Sequence, residues 1–261
     1  MKMALSGQSE IELLALAEKA ADEAKLIAAA FMLDAQVLSS NYKDIKTQAD
    51  LAMNACIIQH LQITGIPVIS EEVETVSTAL PEECWIIDPL DGTLNFTRGF
   101  PCAGISIALW KNDQPVLGVV RNIFTGENIS ALRKQGCFLN DQPVKISDTA
   151  FVKDAVLTTG FPSGANYQTE QLLSFVKNVQ SFKKVRAIGS ASIMLSYVAR
   201  GIFDVYYEND IYLWDIAAGL ALVEAAGGKV YYRAKPGTFK YEVMASNPHL
   251  FDEAASLLTG K

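Results

Sequence analysis

The sequence predicts a layered α/β (α+β) fold in which sheets are covered by helices. Two segments with helical spacing come first, a β-rich middle follows, and after about residue 150 strands and helices alternate. The 261 residues, half of them hydrophobic, suffice for one large domain or two closely joined ones. No repeat, low-complexity tract or flexible linker breaks the chain. The change of character near 147–152 divides an N-terminal α+β half, residues 1–150, from a C-terminal α/β half, residues 151–261.

Taken in order, residues 10 to about 38 read as a long amphipathic helix, opened by the capping box Ser9 and Glu12. The polar run "SSNYKDIK" reads as a loop. Thr47 and Asp50 repeat the capping-box spacing and open a second helix that runs to about Leu61. "IPVIS" (66–70) is a short strand ending in Glu71 and Glu72, and "CWIID" (84–88) is another ending in Asp88. "AGISIALW", "PVLGVVRN" and "ENISAL", separated by "NDQ" and "TG", predict an antiparallel meander, which "GCFLNDQPVKIS" continues. The alternating half then reads as strand 154–159, helix 168–179, strand 183–186 and a helix from Ser190 to Ala199. It continues with strand "FDVYYE", helix "WDIAAGLALVEAAGG" with a glycine stop, strand "KVYYR", and a helix start at "SNP".

Composition excludes several functions. The net charge is −7 and no basic cluster carries interleaved aromatics, which argues against nucleic-acid binding. No apolar run reaches bilayer length, and "MKMALSGQSE" is too short and polar for a secretory signal, so a cytoplasmic protein without membrane attachment is expected. Cys56, Cys84, Cys102 and Cys137 form no C-x-x-C pair and read as buried free thiols. With only His60 and His249, both read as structural, acid–base or metal chemistry must run on carboxylates, hydroxyls and water.

Three acidic clusters fall at element ends: Glu71 with Glu72, Asp88 with Asp91, and Asp215 after Trp214. Strand ends and helix starts are where layered α/β folds bind ligands. Neighbouring strands would set Glu71 beside Asp88, and carboxylates so close resist ionising until a cation relieves them. Oxygen-only donors favour magnesium over zinc. Singly, each cluster has an ordinary reading: P-L-D-G as a β-turn, Asp215 as a helix-start residue, Glu-Glu as a solvated pair. Together, after apolar strands, they favour metal binding. Gly92 and Thr93 follow at once. If the chain turns into a helix there, its first amides form an anion cradle; the alternative is a self-capped helix start.

"WIIDPLDGTLNF" resembles the D-P-x-D-G-T-x-N-F signature of the inositol monophosphatase family, and "WDIAAGLALVEAAGG" resembles that family's W-D-x-A-A-G signature. "DIKTQAD", "ISEE", "GFP" (99–101), "TGFP" (159–162) and "IGSASIMLSYVARGIFDVYYE" are similar to further segments of it, in the expected order over most of the chain. The resemblance implies a five-layered αβαβα sandwich of the sugar-phosphatase type, usually a homodimer, with magnesium-dependent, lithium-sensitive phosphomonoesterase activity on a small-molecule phosphate ester. Inositol-1-phosphate is the implied substrate. Fructose-1,6-bisphosphatase, nucleotide and histidinol-phosphate phosphatase branches share the scaffold, and a regulatory binding protein of low turnover is the alternative of another class. Carried over by position, Glu71, Asp88 and the Leu90 carbonyl would hold one Mg2+, and Asp88, Asp91 and Asp215 a second. A weaker third would sit near Glu71 through water, giving two or three per subunit. Thr93, hydrogen-bonded to Asp50, would polarise the attacking water, with Glu71 as the third catalytic residue. Asp91, the amides of Gly92 and Thr93, Ser190, Ala191, Glu208 and Asp215 would meet substrate. Two departures from the pattern stand out: Lys46 occupies a position where the family often has valine, and the loop at 39–43 is slightly longer.

Overall fold

The computed structural model of the chain describes residues 9–32, 37–41, 44–73, 78–161 and 169–259. Helix α1 (Glu10–Phe31) starts at the predicted capping box: Ser9 N–H donates to Glu12 Oε2 at 2.8 Å and Glu12 N–H to Ser9 Oγ at 3.3 Å. It ends at Phe31, short of the expected 38, and Val37 already lies in a strand. The overrun has a simple cause: apolar residues continue through Met32, Leu33, Val37 and Leu38 with no glycine or proline to mark the stop. The expected loop is instead an antiparallel ribbon of β1 (Val37–Asn41) and β2 (Asp44–Thr47). Pairing of this kind needs only backbone groups, so a polar sequence hides it. Tyr42 and Lys43, within the lengthened 39–43 segment, lie outside the described residues. Helix α2 (Gln48–Leu61) begins where Thr47 and Asp50 place it.

The first large sheet follows. It comprises β3 (Val68–Ser70), β4 (Glu83–Asp91), β5 (Gly104–Lys111), β6 (Gln114–Asn122), β7 (Asn128–Leu132), β8 (Gly136–Leu139) and β9 (Gln142–Val144), hydrogen-bonded in that order, with the short helix α3 (Thr93–Thr97) after β4. Only β3 and β4 are parallel; the remainder is the predicted meander. Its two tightest turns, Asn112-Asp113 and Asn140-Asp141, have positive φ at both residues, as primed two-residue hairpin turns require.

The second sheet comes from β10 (Val156–Thr159), β11 (Lys184–Arg186), β12 (Val205–Tyr212), β13 (Lys229–Ala234) and β14 (Lys240–Ser246), in the order β11-β10-β12-β14-β13. Between them run α4 (Thr169–Val179), α5 (Ala191–Ala199) and α6 (Leu213–Ala225), and α7 (Phe251–Leu258) closes the chain. Pro162, in the second G-F-P segment, lies outside the described residues. Strand β14 was not foreseen: it pairs on both sides and "VMAS" is buried throughout, so its sequence lacks the alternation that marks a half-exposed strand.

Alternation along β4 builds the layers. Trp85 and Ile87 pack with Leu13, Ala17, Met53 and Ile57 of α1 and α2 on one face. Cys84 and Ile86 face α5 and α6, which also cover Tyr206, Val243 and Ala245 of the second sheet. Leu157, Tyr207 and Met244 on that sheet's far face pack against Phe182 and against Ala254 and Leu258 of α7, with Phe175 of α4 alongside. The order is helices, sheet, helices, sheet, helices: an αβαβα sandwich. Each fully buried Leu or Ile in these interfaces contributes about 1.5–3 kcal/mol relative to exposure.

Candidate active site

The even-numbered face of β4, which points at α5 and α6, carries Asp88. Three residues later in a regular strand, Asp91 would face the opposite layer. It does not, because the β4–β5 register slips between Asp88↔Ser106 and Asp91↔Gly104. One extra residue is absorbed there, a bulge that accommodates Pro89 and turns both carboxylates toward the middle helical layer. Leu90, the intervening residue, is buried on the α1–α2 side. Its N–H donates to Asp88 Oδ1 at 2.8 Å and its carbonyl accepts from Thr93 Oγ1 at 3.1 Å. P-L-D-G is therefore a strand end with a bulge, not a β-turn.

Helix α6 starts directly from β12 and brings Asp215 in its first turn. Carboxylate oxygens of Asp88, Asp91 and Asp215 lie within 4.8 Å of one another. Asp88 and Asp91 are buried and Asp215 partly so. All three carboxyls are held above their ordinary range, burial first, then mutual repulsion for Asp88 and Asp215. Glu71 adds to that repulsion on Asp88 and Asp215. The parallel pairing of Ser70 with Ile87, and a Glu71 N–H bond to the Ile87 carbonyl, set Glu71 beside Asp88 as strand adjacency required. Its exposed side chain lies at the rim, outside the 4.8 Å cluster.

Each acid has a dedicated support. Asp91 Oδ2 accepts from Ser190 Oγ at 2.7 Å, Ser192 N at 2.7 Å and Ser192 Oγ at 2.6 Å. Ser190, the N-cap of α5, thus reaches the site through Asp91, with Ala191 opening the helix beside it. Ser192 was missed in the sequence; its signal is the Ser-x-Ser pair at a helix start. Asp50 is buried, accepts from the Thr47 N–H at 2.8 Å, and is raised by burial, against the Thr47 bonds that lower it. Its other oxygen accepts from Thr93 Oγ1 at 3.2 Å, so the expected Thr93–Asp50 pair is present.

Gly92 joins β4 to α3 at φ +88°, a left-handed conformation, and a Cβ there would lie 3.0 Å from the Cys102 carbonyl oxygen. Only glycine meets both constraints. Glu208, buried on β12, is pushed up to about 8 by burial and then by the charge of Asp91. Lys46, the departure noted above, is ion-paired with half-buried Glu72, and the charges of Asp50 and Glu71 also reach it. Oxygen donors converging without a matching charge of their own suit a hard divalent cation.

A model of the inositol monophosphatase family matches residues 9–258. The chain belongs to that family. An inositol-1-monophosphatase of Rhizobium meliloti is 40% identical over 161 residues, spanning 61% of this chain and 60% of that protein. A Nus factor SuhB of Pasteurella multocida is 34% identical over 200 residues, 76% of this chain and 75% of its own length. The crystal structure of an extragenic suppressor protein suhB from Bartonella henselae superposes with a TM-score of 0.83 at 29% identity, covering 94% of this chain and 98% of that one. Membership of the inositol monophosphatase family makes this a phosphatase scaffold of a metal-dependent kind, and the carboxylate cluster fits that dependence. Among the described residues no helix is long and apolar enough to cross a membrane.

Proposed function

We propose that this chain hydrolyses inositol-1-phosphate to inositol and phosphate with Mg2+ as cofactor. One observation carries the reading: three carboxylates from two distant segments converge within 4.8 Å beside a Thr93–Asp50 hydrogen bond. Glu71, Asp88, the Leu90 carbonyl, Asp91 and Asp215 would hold the ions. When bound, Mg2+ lowers the pKa of a coordinated water from about 15.7 and neutralises charge on the transferring phosphoryl group.

The chain's own residues do the rest. Thr93 Oγ1 has one proton and two acceptors in reach, Asp50 Oδ1 and the Leu90 carbonyl. Were that carbonyl taken up as a metal ligand, Asp50 would be left to accept the proton. The hydroxyl's lone pairs are then free to accept from a water and aim its oxygen at phosphorus. Asp50 stays fixed because Thr47 occupies its second oxygen. Backbone N–H groups of Gly92 and Thr93 would steady the phosphoryl oxygens, and the leaving alkoxide takes its proton from solvent. Glu208, close enough to Asp91 to feel its charge, would read a vicinal diol, and Ala191 would face the ring.

A panel of inositol-1-phosphate, fructose-1,6-bisphosphate, adenosine 3′,5′-bisphosphate and histidinol phosphate, scored by phosphate release with Mg2+, with EDTA and with Li+, tests this. The expected result is preference for inositol-1-phosphate, loss in EDTA and inhibition by Li+. Turnover undiminished by EDTA would defeat the metal reading, and preference for another ester would reassign the substrate. The resemblance also suggests a cytoplasmic homodimer, which light scattering on the purified chain tests for its oligomeric part.

A further inference from the structure

A second set of ligand atoms lies away from the carboxylate cluster. Cys56 and His60 are four residues apart on α2, so they stack on one helical face. Glu23 of α1 faces them. One atom from each residue, Sγ, a ring nitrogen and a carboxylate oxygen, lies within 4.8 Å of the others. His60 Nε2 and Glu23 Oε2 are 2.8 Å apart. All three side chains are half-buried, and Cys56 is thus not the fully buried thiol expected from the sequence.

We propose that Glu23, Cys56 and His60 form a binding site for a borderline-soft divalent cation, Zn2+ being the type. The donor set matches in charge: a thiolate and a carboxylate balance the ion, and a neutral imidazole completes three protein ligands. The three atoms, within 4.8 Å of one another, are close enough for one ion to gather them with small side-chain movements. Tetrahedral zinc spaces such ligand atoms roughly 3.3–3.6 Å apart. Glu23, whose side chain is 46% exposed, has only to swing outward by a fraction of an ångström from His60. Three protein ligands would leave the fourth tetrahedral position to water. An ion pair alone would tie His60 to Glu23, and Lys19, one turn earlier on α1, also reaches that carboxylate with its charge. Neither needs a thiol. The cysteine one turn before the histidine is the feature that an ion pair leaves unexplained.

This site is chemically orthogonal to the carboxylate cluster. Mg2+ shuns sulfur, so excess Mg2+ fills oxygen-only positions and leaves this one. Asp50 lies six residues before Cys56, about 9 Å along the axis of α2. Occupancy would therefore stiffen α1 against α2 without touching the phosphatase residues.

The test is titration of the full chain with Co2+ and with Zn2+ in saturating Mg2+. Expected are one equivalent of either ion and, for Co2+, a near-ultraviolet thiolate-to-cobalt charge-transfer band that Zn2+ bleaches. Cys56→Ser should abolish the band. Cys56→Ser and His60→Gln should each weaken binding at least about tenfold, since even outer-shell changes carry about 10–100-fold. Mg2+-supported phosphate release should be unchanged in both, which also certifies their folding. A wild-type chain without the band, or a band that survives Cys56→Ser, would overturn the assignment whatever the phosphatase assay reports.

Discussion

At the scale of single residues, the proposed function divides the site into groups that would hold charge and groups that would aim a proton. Asp91 belongs to the first. Asp91→Asn leaves one oxygen but replaces the other by an N–H2 that cannot accept from Ser190 and Ser192. It should weaken Mg2+ and lower the rate by about 10²–10³-fold, several kcal/mol of transition-state stabilisation. Thr93 belongs to the second. Thr93→Ala should lose a similar factor, about 10²–10⁴-fold, while calorimetric Mg2+ affinity stays near wild type. Equal loss of metal affinity in both variants would contradict that division. Lys46 is a third kind, a tethered cation. Its ammonium pairs with Glu72 and is felt by Asp50 and Glu71, where the family resemblance puts an exchangeable ion. Lys46→Val leaves those carboxylates without it, so calorimetry should count one more Mg2+ per chain than in the wild type. An unchanged count would mean that Lys46 only anchors Glu72.

At the scale of elements, the acids' convergence depends on joints between strands and helices. Asn95 is one joint: its side-chain amide donates to the Cys102 carbonyl at 2.7 Å and the Ile188 carbonyl at 2.6 Å, tying α3 to the approach of α5. Asn95→Ala should destabilise the fold by about 1–3 kcal/mol and slow turnover, because the helix that carries Ser190 and Ser192 loses its reference to Gly92. Thermal melting alongside kinetics checks both. How such joints read in the sequence varied with how local their causes are. The capping boxes of α1 and α2 were legible because four consecutive residues determine them. The meander was legible because asparagine-aspartate turns punctuate it. The β4 bulge was not, since Pro89 in "IIDPLD" suits a turn as well as a bulge and only the register against β5 decides between them. Strand β14 was hidden by burial on both faces, and the β1–β2 ribbon by polarity. Among site residues, Asp88, Asp91 and Asp215 stood out through their place at element ends. Ser192 did not, because its role exists only once α5 meets β4 across 101 residues of chain.

At the scale of the molecule, the fold stores a conflict that a bound divalent cation would resolve. The carboxyls of Asp50, Asp88, Asp91, Asp215 and Glu208 are all raised, burial being the first cause in each. A raised carboxyl binds a proton in the folded chain that the unfolded chain has released. Its contribution to stability is therefore full below the unfolded value and is lost as pH rises through the folded one. For Glu208 that window runs from the ordinary 4.5 to about 8, and each pH unit within it removes roughly 1.4 kcal/mol. The metal-free chain should accordingly melt at progressively lower temperature from about pH 5 to about pH 8. Divalent cation reverses the slope, since it binds the ionised carboxylates and must displace protons at low pH. Mg2+ at about 100 times its dissociation constant adds about 2.7 kcal/mol per site, or roughly 5–10 °C for a chain of this size, and should do so near pH 8 but scarcely at pH 5. Calorimetric melts with Mg2+ and with EDTA across that range decide the matter. A Mg2+ shift that is independent of pH, or a metal-free chain that gains stability with rising pH, would show that the buried acids are not where the ions bind.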